Sequence, residues 1–168
     1  NNGYYNTLTT DAKNMIGTVK YYLGGYSNSK ITTDIMWQYE RKNESNRTGY
    51  YYGTNPIMQN DANKKIAIMY ASDYGYAASK KCTSNLSNYD GSASCITINN
   101  WLDKSGTWLL PQFSVDNLSA FFVSDFGRVR TDDFSVELAV HPVLYLSSKV
   151  KISSGKGTSE LPYQLTVE

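Results

Sequence analysis

Apolar and polar residues alternate most regularly in the second half of the chain, where the pattern predicts antiparallel strands. Two short strand-like runs, 121–123 and 128–130, flank Asp125-Phe126-Gly127. Glycine tolerates a positive φ, so this segment predicts a β-hairpin. Residues 106–114 predict a further strand, and Pro111 favours a sheet edge because proline has no N–H to donate. The run 136–146 predicts a central strand, with a bulge or an unpaired position at Pro142.

The first half of the chain carries patterns of helical length. Residues 11–26 predict a helix that stops at Gly24-Gly25. A second helix is expected after Thr33 or Asp34 as N-cap, with Met36, Trp37, Tyr39 and Glu40 supplying an amphipathic face. In residues 64–77, Ile66, Ile68 and Tyr70 alternate with Ala67, Met69 and Ala71, which predicts a strand running into a turn at 72–75. Residues 98–102 predict a short helical turn. The fold class is therefore α+β, with one or two early helices, antiparallel strands and long loops.

Length and charge limit what this chain can be. Its 168 residues fit a single domain over 1–168. Lys and Arg total 16 against 15 Asp and Glu, and this balance gives no general attraction to nucleic acid or to an anionic membrane. Charged residues make up only 18% of the chain, and tyrosine, serine and asparagine take up the difference, as on many extracellular surfaces.

Two cysteines, Cys82 and Cys95, bracket a loop rich in serine and asparagine. This spacing predicts a disulfide formed in an oxidising compartment. The alternatives are two free thiols or a metal pair, although zinc would need two further ligands and the sequence offers a single histidine. No apolar run long enough to cross a bilayer and no signal peptide occurs, and Asn1 is expected to begin a processed fragment.

Candidate catalytic chemistry is sparse. His141, the single histidine, lies in an apolar run before Pro142, and no Gly-x-Ser-x-Gly elbow is present, so a packed core histidine is expected. Asp125, Asp132 and Asp133 suggest a calcium site, but without EF-hand spacing they are expected to form turns. No cofactor and no metal are predicted. Paired glycosidase carboxylates stay open as an alternative.

Tyrosine supplies the candidate ligand contacts. Tyr50, Tyr51 and Tyr52 cannot all face inward on a strand, because successive side chains alternate between its two faces. These three residues and Tyr89 are therefore expected to be exposed, where their rings could stack on a sugar or contact a protein. Trp101 and Trp108 are expected in the core.

Several segments in order resemble a known family, and they are VKYYLGGYS, MWQYER, IAIMYASDYGYA, NNWL, TWLLPQFS, VHPVLYL and SSGKGTSELPYQL. The series resembles a domain of secreted and pilin-like surface proteins of gut Gram-positive bacteria. That domain is similar to the formylglycine-generating-enzyme branch of the C-type-lectin-like fold. Two departures matter. Ala139-Val140-His141 replaces the family's Gly-(Phe/Val)-Arg motif, and Cys82 and Cys95 are assigned to a structural bridge instead of to oxidase chemistry.

The resemblance implies a scaffold with variable loops, and a scaffold does not by itself fix a function. We expect a non-catalytic adhesion-type binding module on the bacterial surface or outside the cell, with a glycan or protein ligand. The alternative is a structural subunit or head domain of a pilin-like filament. A hydrolase or oxidase on the same scaffold is the third hypothesis. Neither nucleic-acid binding nor membrane insertion of this fragment is expected.

Overall fold

The computed structural model describes residues 2–26, 31–41, 62–78, 82, 85–91, 106–113 and 118–168. Within these ranges the chain forms short helices and strands. In chain order they are α1 (Asn2–Thr7), α2 (Thr10–Met15), β1 (Val19–Tyr21), β2 (Gly25–Tyr26), α3 (Thr33–Glu40), β3 (Ala62–Lys64), β4 (Ile66–Ile68), α4 (Ala71–Ala77), a 3₁₀ helix (Leu86–Gly91), β5 (Thr107–Phe113), β6 (Ser119–Val123), β7 (Val129–Asp133), β8 (Pro142–Leu144), β9 (Val150–Ser154) and β10 (Gln164–Val167).

The chain divides into two compact units, each built from separate stretches of sequence. Unit 1 comprises Asn1–Lys20, Asn63–Ala67 and Val143–Glu168. Unit 2 comprises Tyr21–Ala62 and Ile68–Pro142. The single domain expected over 1–168 stays a prediction.

A four-stranded sheet forms the centre of unit 2, in the order β2-β5-β6-β7. β2 pairs with β5 in parallel, whereas the other two pairings are antiparallel. Leu109, Phe121, Val123 and Val129 are buried on this sheet with at most 3% of their surface exposed. Two helices complete the unit, with α3 in contact with β2 and α4 in contact with β5.

The predicted hairpin at 119–133 is confirmed. β6 and β7 pair in register from Ser119 opposite Asp133 to Val123 opposite Val129. The Ser124 N–H donates to the Arg128 carbonyl at 2.8 Å and closes the turn. Gly127 has φ +79°, the left-handed conformation for which the sequence offered a glycine.

The strand predicted at 106–114 is confirmed as β5, but its placement at a sheet edge is wrong. β5 lies between β2 and β6, and Pro111 is buried. The β5–β6 pairing shifts register between Trp108 and Gln112, which brackets Pro111. Proline has no N–H to donate to a neighbouring strand. The register irregularity allows for this inside the sheet, just as a position on an edge strand would.

Unit 1 combines α1, α2 and a hairpin of β9 and β10. Val167 lies opposite Val150 in this antiparallel pair, and the register shifts once between Gln164 and Leu165. Ile16 and Ile66 are buried, and Lys65 Nζ donates to the carbonyl of Ile16 at 3.2 Å. The short strands β1 and β3 pair with each other, as do β4 and β8.

The helix expected over residues 11–26 is wrong beyond Met15. α2 ends there, Ile16 forms a bridge to Leu146, and residues 19–21 and 25–26 are strands. Gly17 and the β-branched Val19 weaken a helix at this point, while tertiary partners satisfy the backbone. Gly17 N–H, for example, donates to the Tyr145 carbonyl at 2.9 Å.

Two further predictions need correction. The central strand expected at 136–146 is reduced to β8, and Val140 is 58% and Leu146 48% exposed, so this run is no core strand. Pro142 begins β8, as proline does at the first position of a strand. The strand expected from 64 onward ends at Ile68, and the predicted turn at 72–75 lies inside helix α4.

The structure thus confirms an α+β fold with few helices and mostly antiparallel sheets. Within the ranges given above, no helix has the length and apolar character needed to cross a membrane.

Candidate functional site

Helices α3 and α4 lie side by side in unit 2 and position the candidate site. α3 starts at its N-cap Thr32, whose hydroxyl accepts from the Ile35 N–H at 3.3 Å. The sequence predicted this helix and placed the cap one or two residues late, at Thr33 or Asp34. The close approach of the two helices depends on Gly75, because a Cβ there would lie 2.9 Å from Thr33 Cγ2 and 3.0 Å from Leu86 Cδ2.

Arg41, directly after α3, joins the two helices. Its Nη1 donates to Ser72 Oγ at 2.7 Å and to Glu40 Oε2 at 3.2 Å, and its Nη2 donates to Asp73 Oδ1 at 2.8 Å. Three acceptors on two sequence segments therefore hold one guanidinium, and charge-assisted bonds of this kind are the stronger ones in proteins.

The aromatic ring of Tyr70 packs against the Arg41 guanidinium. The Arg41 Cζ lies 4.2 Å from the centre of the Tyr70 ring, within cation–π distance. The Tyr70 hydroxyl donates to the Tyr22 carbonyl at 2.9 Å and accepts from the Tyr22 N–H at 2.7 Å, and the residue is 4% exposed. The Arg41 guanidinium thus packs against a buried ring whose hydroxyl is held by two hydrogen bonds.

Glu40 is the buried carboxylate of this cluster, with no exposed surface. Burial raises its pKa from 4.5 to about 7, against the opposing effects of the Ser72 hydrogen bonds and of the Arg41 charge. The nearby Asp73 carboxylate acts in the same direction as burial. Glu40 Oε1 also accepts from the Ser72 N–H at 3.2 Å, close to the start of α4.

Two aromatic rings stand out from the same helices into solvent. Trp37 is 47% exposed, and its ring centre lies 6.0 Å from the Arg41 Cζ. Tyr76 is 59% exposed, and its hydroxyl donates to Asp34 Oδ1 at 2.9 Å. This hydrogen bond to the carboxylate raises the pKa of Tyr76. We call the surface formed by Asp34, Trp37, Arg41, Asp73 and Tyr76 the α3–α4 face.

The cluster contains both buried and exposed groups. Ser72 and Glu40 carry the hydroxyl and the carboxylate with the raised pKa, and both residues are buried. The groups of the α3–α4 face that reach solvent are two aromatic rings, the carboxylates of Asp34 and Asp73, and the Arg41 guanidinium. The Asp73 side chain is 39% exposed and that of Arg41 is 20% exposed. Such a set can stack on a ligand and accept its hydrogen bonds.

The structure does not describe the side chains of the four tyrosines that were predicted as ligand contacts. Tyr50, Tyr51 and Tyr52 lie outside the described residues. Tyr89 belongs to the 3₁₀ helix Leu86–Gly91, and its side chain is likewise outside the description. Their exposure stays a prediction, as does the core position of Trp101, which is not among the described residues. Trp108 is half-buried and contacts Phe122 and Phe134 with ring centres 5.9 Å apart.

Cys82 is half of a disulfide, and the described part of the chain holds no free cysteine. Its expected partner, Cys95, lies outside the described residues, so the pairing Cys82–Cys95 stays a prediction.

His141 is half-buried, and its Nδ1 lies 3.2 Å from Thr107 Oγ1, a contact typical of a packed histidine. Of the suggested calcium aspartates, Asp132 and Asp133 make local hydrogen bonds. Asp133 Oδ1 accepts from the Ser135 N–H at 2.8 Å, which lowers the Asp133 pKa, and Asp132 Oδ1 accepts from the Asp133 N–H at 2.9 Å. In the segments that the structure covers, no group of three or more His, Cys, Asp or Glu could hold a metal ion.

Sequence reasoning did not single out the α3–α4 face, although one pattern pointed to it. Asp34, Trp37 and Arg41 follow at spacings of three and four, which brings them to one side of a helix. Trp37 was assigned to the amphipathic face together with Met36 and Glu40, but those two residues are buried while Trp37 faces solvent. The residues that α4 contributes to this face were missed because the sequence predicts a turn at 72–75 and not a helix.

Comparison of the chain with protein-family models, with curated proteins and with solved structures gives no match.

Proposed function

We propose that this chain is a non-catalytic extracellular binding module whose ligand, a glycan or a protein, docks on the α3–α4 face. The observation that carries the proposal is that two neighbouring rings are exposed, with Tyr76 held by a hydrogen bond to Asp34 and Trp37 in cation–π range of Arg41. Single exposed apolar side chains are ordinary on protein surfaces. Rings held in place before a ligand arrives lose less conformational freedom on binding, which favours affinity.

The proposed location is outside the cell or on the bacterial surface. Cys82 is disulfide-bonded, and disulfides persist mainly in oxidising compartments. The low charged fraction of 18% is typical of surfaces rich in tyrosine, serine and asparagine. We assign the α+β fold to the C-type-lectin-like, formylglycine-generating-enzyme-like class on the sequence segments that resemble that family.

The alternative function, a structural subunit or head domain of a pilin-like filament, is favoured by a different surface. In unit 1, Ile152 is 59% and Val167 44% exposed on the β9–β10 hairpin. A two-stranded hairpin gains little stability alone in water, so these apolar residues suit burial against another protein chain.

Binding to immobilised mucin and fibronectin, measured by surface plasmon resonance, tests the proposed function. We expect saturable binding of the intact chain to one of these surfaces, reduced by the double change Trp37→Ala and Tyr76→Ala. Phe126→Ala serves as the matched control, because Phe126 is a similarly exposed ring, at 58%, that does not belong to the residues of the α3–α4 face. Equal binding by all three proteins, or none by the intact chain, would overturn the proposal. Concentration-dependent assembly in sedimentation velocity would then support the filament alternative.

A further inference from the structure

Strand β7 forms one edge of the four-stranded sheet of unit 2, and among the described residues no strand lies on its outer side. The 3₁₀ helix also contacts β7, but no hydrogen bond joins the two in the part of the chain that the structure describes. An edge strand with unpaired backbone groups is a template to which another chain can add a strand. The outer edge of β7 is therefore available to a further strand.

The β6–β7 pairing fixes which backbone groups of β7 point outward, because residues that bond to a neighbouring strand alternate with residues that do not. The Phe134 N–H donates to the Leu118 carbonyl at 2.8 Å, so the even-numbered residues of β7 direct their backbone groups to β6. The N–H and carbonyl of Thr131, in the middle of β7, then point outward. At the end of the strand, the Asp133 N–H is already bonded to Asp132 Oδ1 at 2.9 Å. Thr131 is therefore the centre of the open edge.

The charges on β7 have opposite signs on the two sides of Thr131. Arg130 and Asp132 are both exposed, and they lie on the same face of the strand because residues two apart share a face. Neither side chain takes part in an ion pair with another described residue. A guanidinium and a carboxylate are thus available at this edge to a second strand.

A second copy of β7, placed antiparallel with Thr131 opposite its own counterpart, matches these charges. Arg130 of each copy then lies opposite Asp132 of the other, so a two-fold axis at Thr131 gives two cross-strand pairs of opposite charge. The smallest register shift that keeps outward groups opposite each other is two residues. It places Arg130 opposite Arg130 or Asp132 opposite Asp132, and like charges directly opposite are destabilising. The charge pattern therefore selects one register.

The segment that follows β7 adds apolar surface to the contact. Phe134 is 54% and Val136 is 36% exposed. Antiparallel pairing sets the end of one β7 beside the start of the other, so the second copy can cover part of these side chains at the rim of the contact.

From these observations we infer that β7 is a self-association surface, through which two copies of this chain pair antiparallel and join their sheets into one. The contact uses no residue of the α3–α4 face, so this inference goes beyond the proposed function and does not depend on it.

Sedimentation velocity over a range of concentrations tests the pairing, and we expect a monomer–dimer equilibrium for the intact chain. Arg130→Glu and Asp132→Lys each place like charges opposite each other twice, so each variant should dimerise at least about tenfold more weakly. An equimolar mixture of the two should recover the dimer, because the introduced glutamate then lies opposite the introduced lysine. Lys156→Glu and Asp11→Lys, the matched charge changes at exposed positions of unit 1, should dimerise as the unchanged chain does. Circular dichroism of each variant establishes that it is folded.

Thr131→Cys reports the register itself. Opposite residues of a hydrogen-bonded antiparallel pair have Cα atoms about 5.5 Å apart, which is within the reach of a disulfide. Mild oxidation should therefore link two copies of this variant. Ser135→Cys, which lies in the same segment but away from the two-fold axis, should stay unlinked.

Three outcomes overturn the inference. They are an intact chain that stays monomeric at millimolar concentration, which would leave this edge to a different protein, a charge variant that dimerises as strongly as the unchanged chain, and a mixture of the two variants that fails to recover the dimer. The proposed function is judged separately, by the binding of the Trp37 and Tyr76 variant to immobilised proteins, and none of these three outcomes removes it.

Discussion

Replacing Glu40 with glutamine should stabilise the chain at alkaline pH far more than at acidic pH. Glu40 is completely buried, and its pKa is about 7 in the folded chain against 4.5 ordinarily. The folded state therefore holds the proton more tightly than the unfolded state does. The stability that protonated Glu40 contributes is complete below pH 4.5 and is lost as the pH rises through 7.

The size of the effect follows from that pKa difference. At about 1.4 kcal/mol for each pKa unit, ionised Glu40 lowers the free energy of unfolding by about 3 kcal/mol at pH 8.5. Glutamine has nearly the same shape and never ionises. Its amide oxygen can still accept the Ser72 N–H, while its NH2 group loses the bond from Arg41 Nη1 at every pH. The difference in stability between Glu40→Gln and the unchanged chain should thus grow by about 3 kcal/mol between pH 4 and pH 8.5. Other titrating groups contribute equally to both proteins and cancel in this difference.

Urea unfolding at several pH values measures this difference directly. Glu137→Gln is the matched control, because it removes the same charge from an exposed position in unit 2. If the Glu40→Gln and unchanged curves run parallel to within about 1 kcal/mol, the carboxylate does not titrate in the folded state as its burial requires. The Arg41 charge would then outweigh desolvation, contrary to our reasoning.

Three further predictions concern the cross-links of unit 2 and the disulfide. Arg41→Gln leaves Glu40 buried without its cation and should lower stability at pH 8 by about 2–4 kcal/mol, with less effect at pH 4 where Glu40 is protonated; equal losses at both pH values in urea unfolding would contradict this. Gly75→Ala should destabilise by about 1–3 kcal/mol through its contacts with Thr33 and Leu86. The added change Thr33→Ala should recover part of that loss, so strictly additive effects in a double-mutant cycle would argue against a close contact. Replacing both Cys82 and Cys95 with serine should cost about 3 kcal/mol, seen as a lower melting temperature with an unchanged far-ultraviolet spectrum, whereas a melting temperature indifferent to reductant would count against the bridge.

Local patterns in the sequence predicted those elements whose stability is decided locally. The hairpin of β6 and β7 has alternating side chains and a glycine where the turn requires φ +79°, so pattern and turn chemistry agree. α3 has a threonine cap and buried residues at helical spacing, and its start was predicted to within two residues. The α+β class followed from these elements.

The failures occurred where distant partners decide the conformation. Residues 16–26 have a helical distribution of apolar side chains, but their backbone groups are bound by Tyr145 and by the Tyr70 hydroxyl. Residues 136–146 have high strand propensity and yet remain largely exposed, because β-propensity does not fix which face is covered. The α3–α4 face depends on Arg41 meeting Ser72 and Asp73, which are more than thirty residues away in sequence. No local sequence pattern predicts a contact between residues so far apart in the chain.

The hydroxyl of Tyr74 donates to the carbonyl of Gly127 at 2.8 Å, so the buried side of α4 is bonded to the tip of the β6–β7 hairpin. The carbonyl of Met69, two residues before α4, accepts from the Leu110 N–H of β5 at 2.8 Å. If a tethered ligand pulls on Trp37 and Tyr76 in flowing liquid, tension passes from α4 into neighbouring strands through these two bonds. Mechanical load would then be shared across the sheet, and Tyr74→Phe should lower the rupture force in single-molecule pulling.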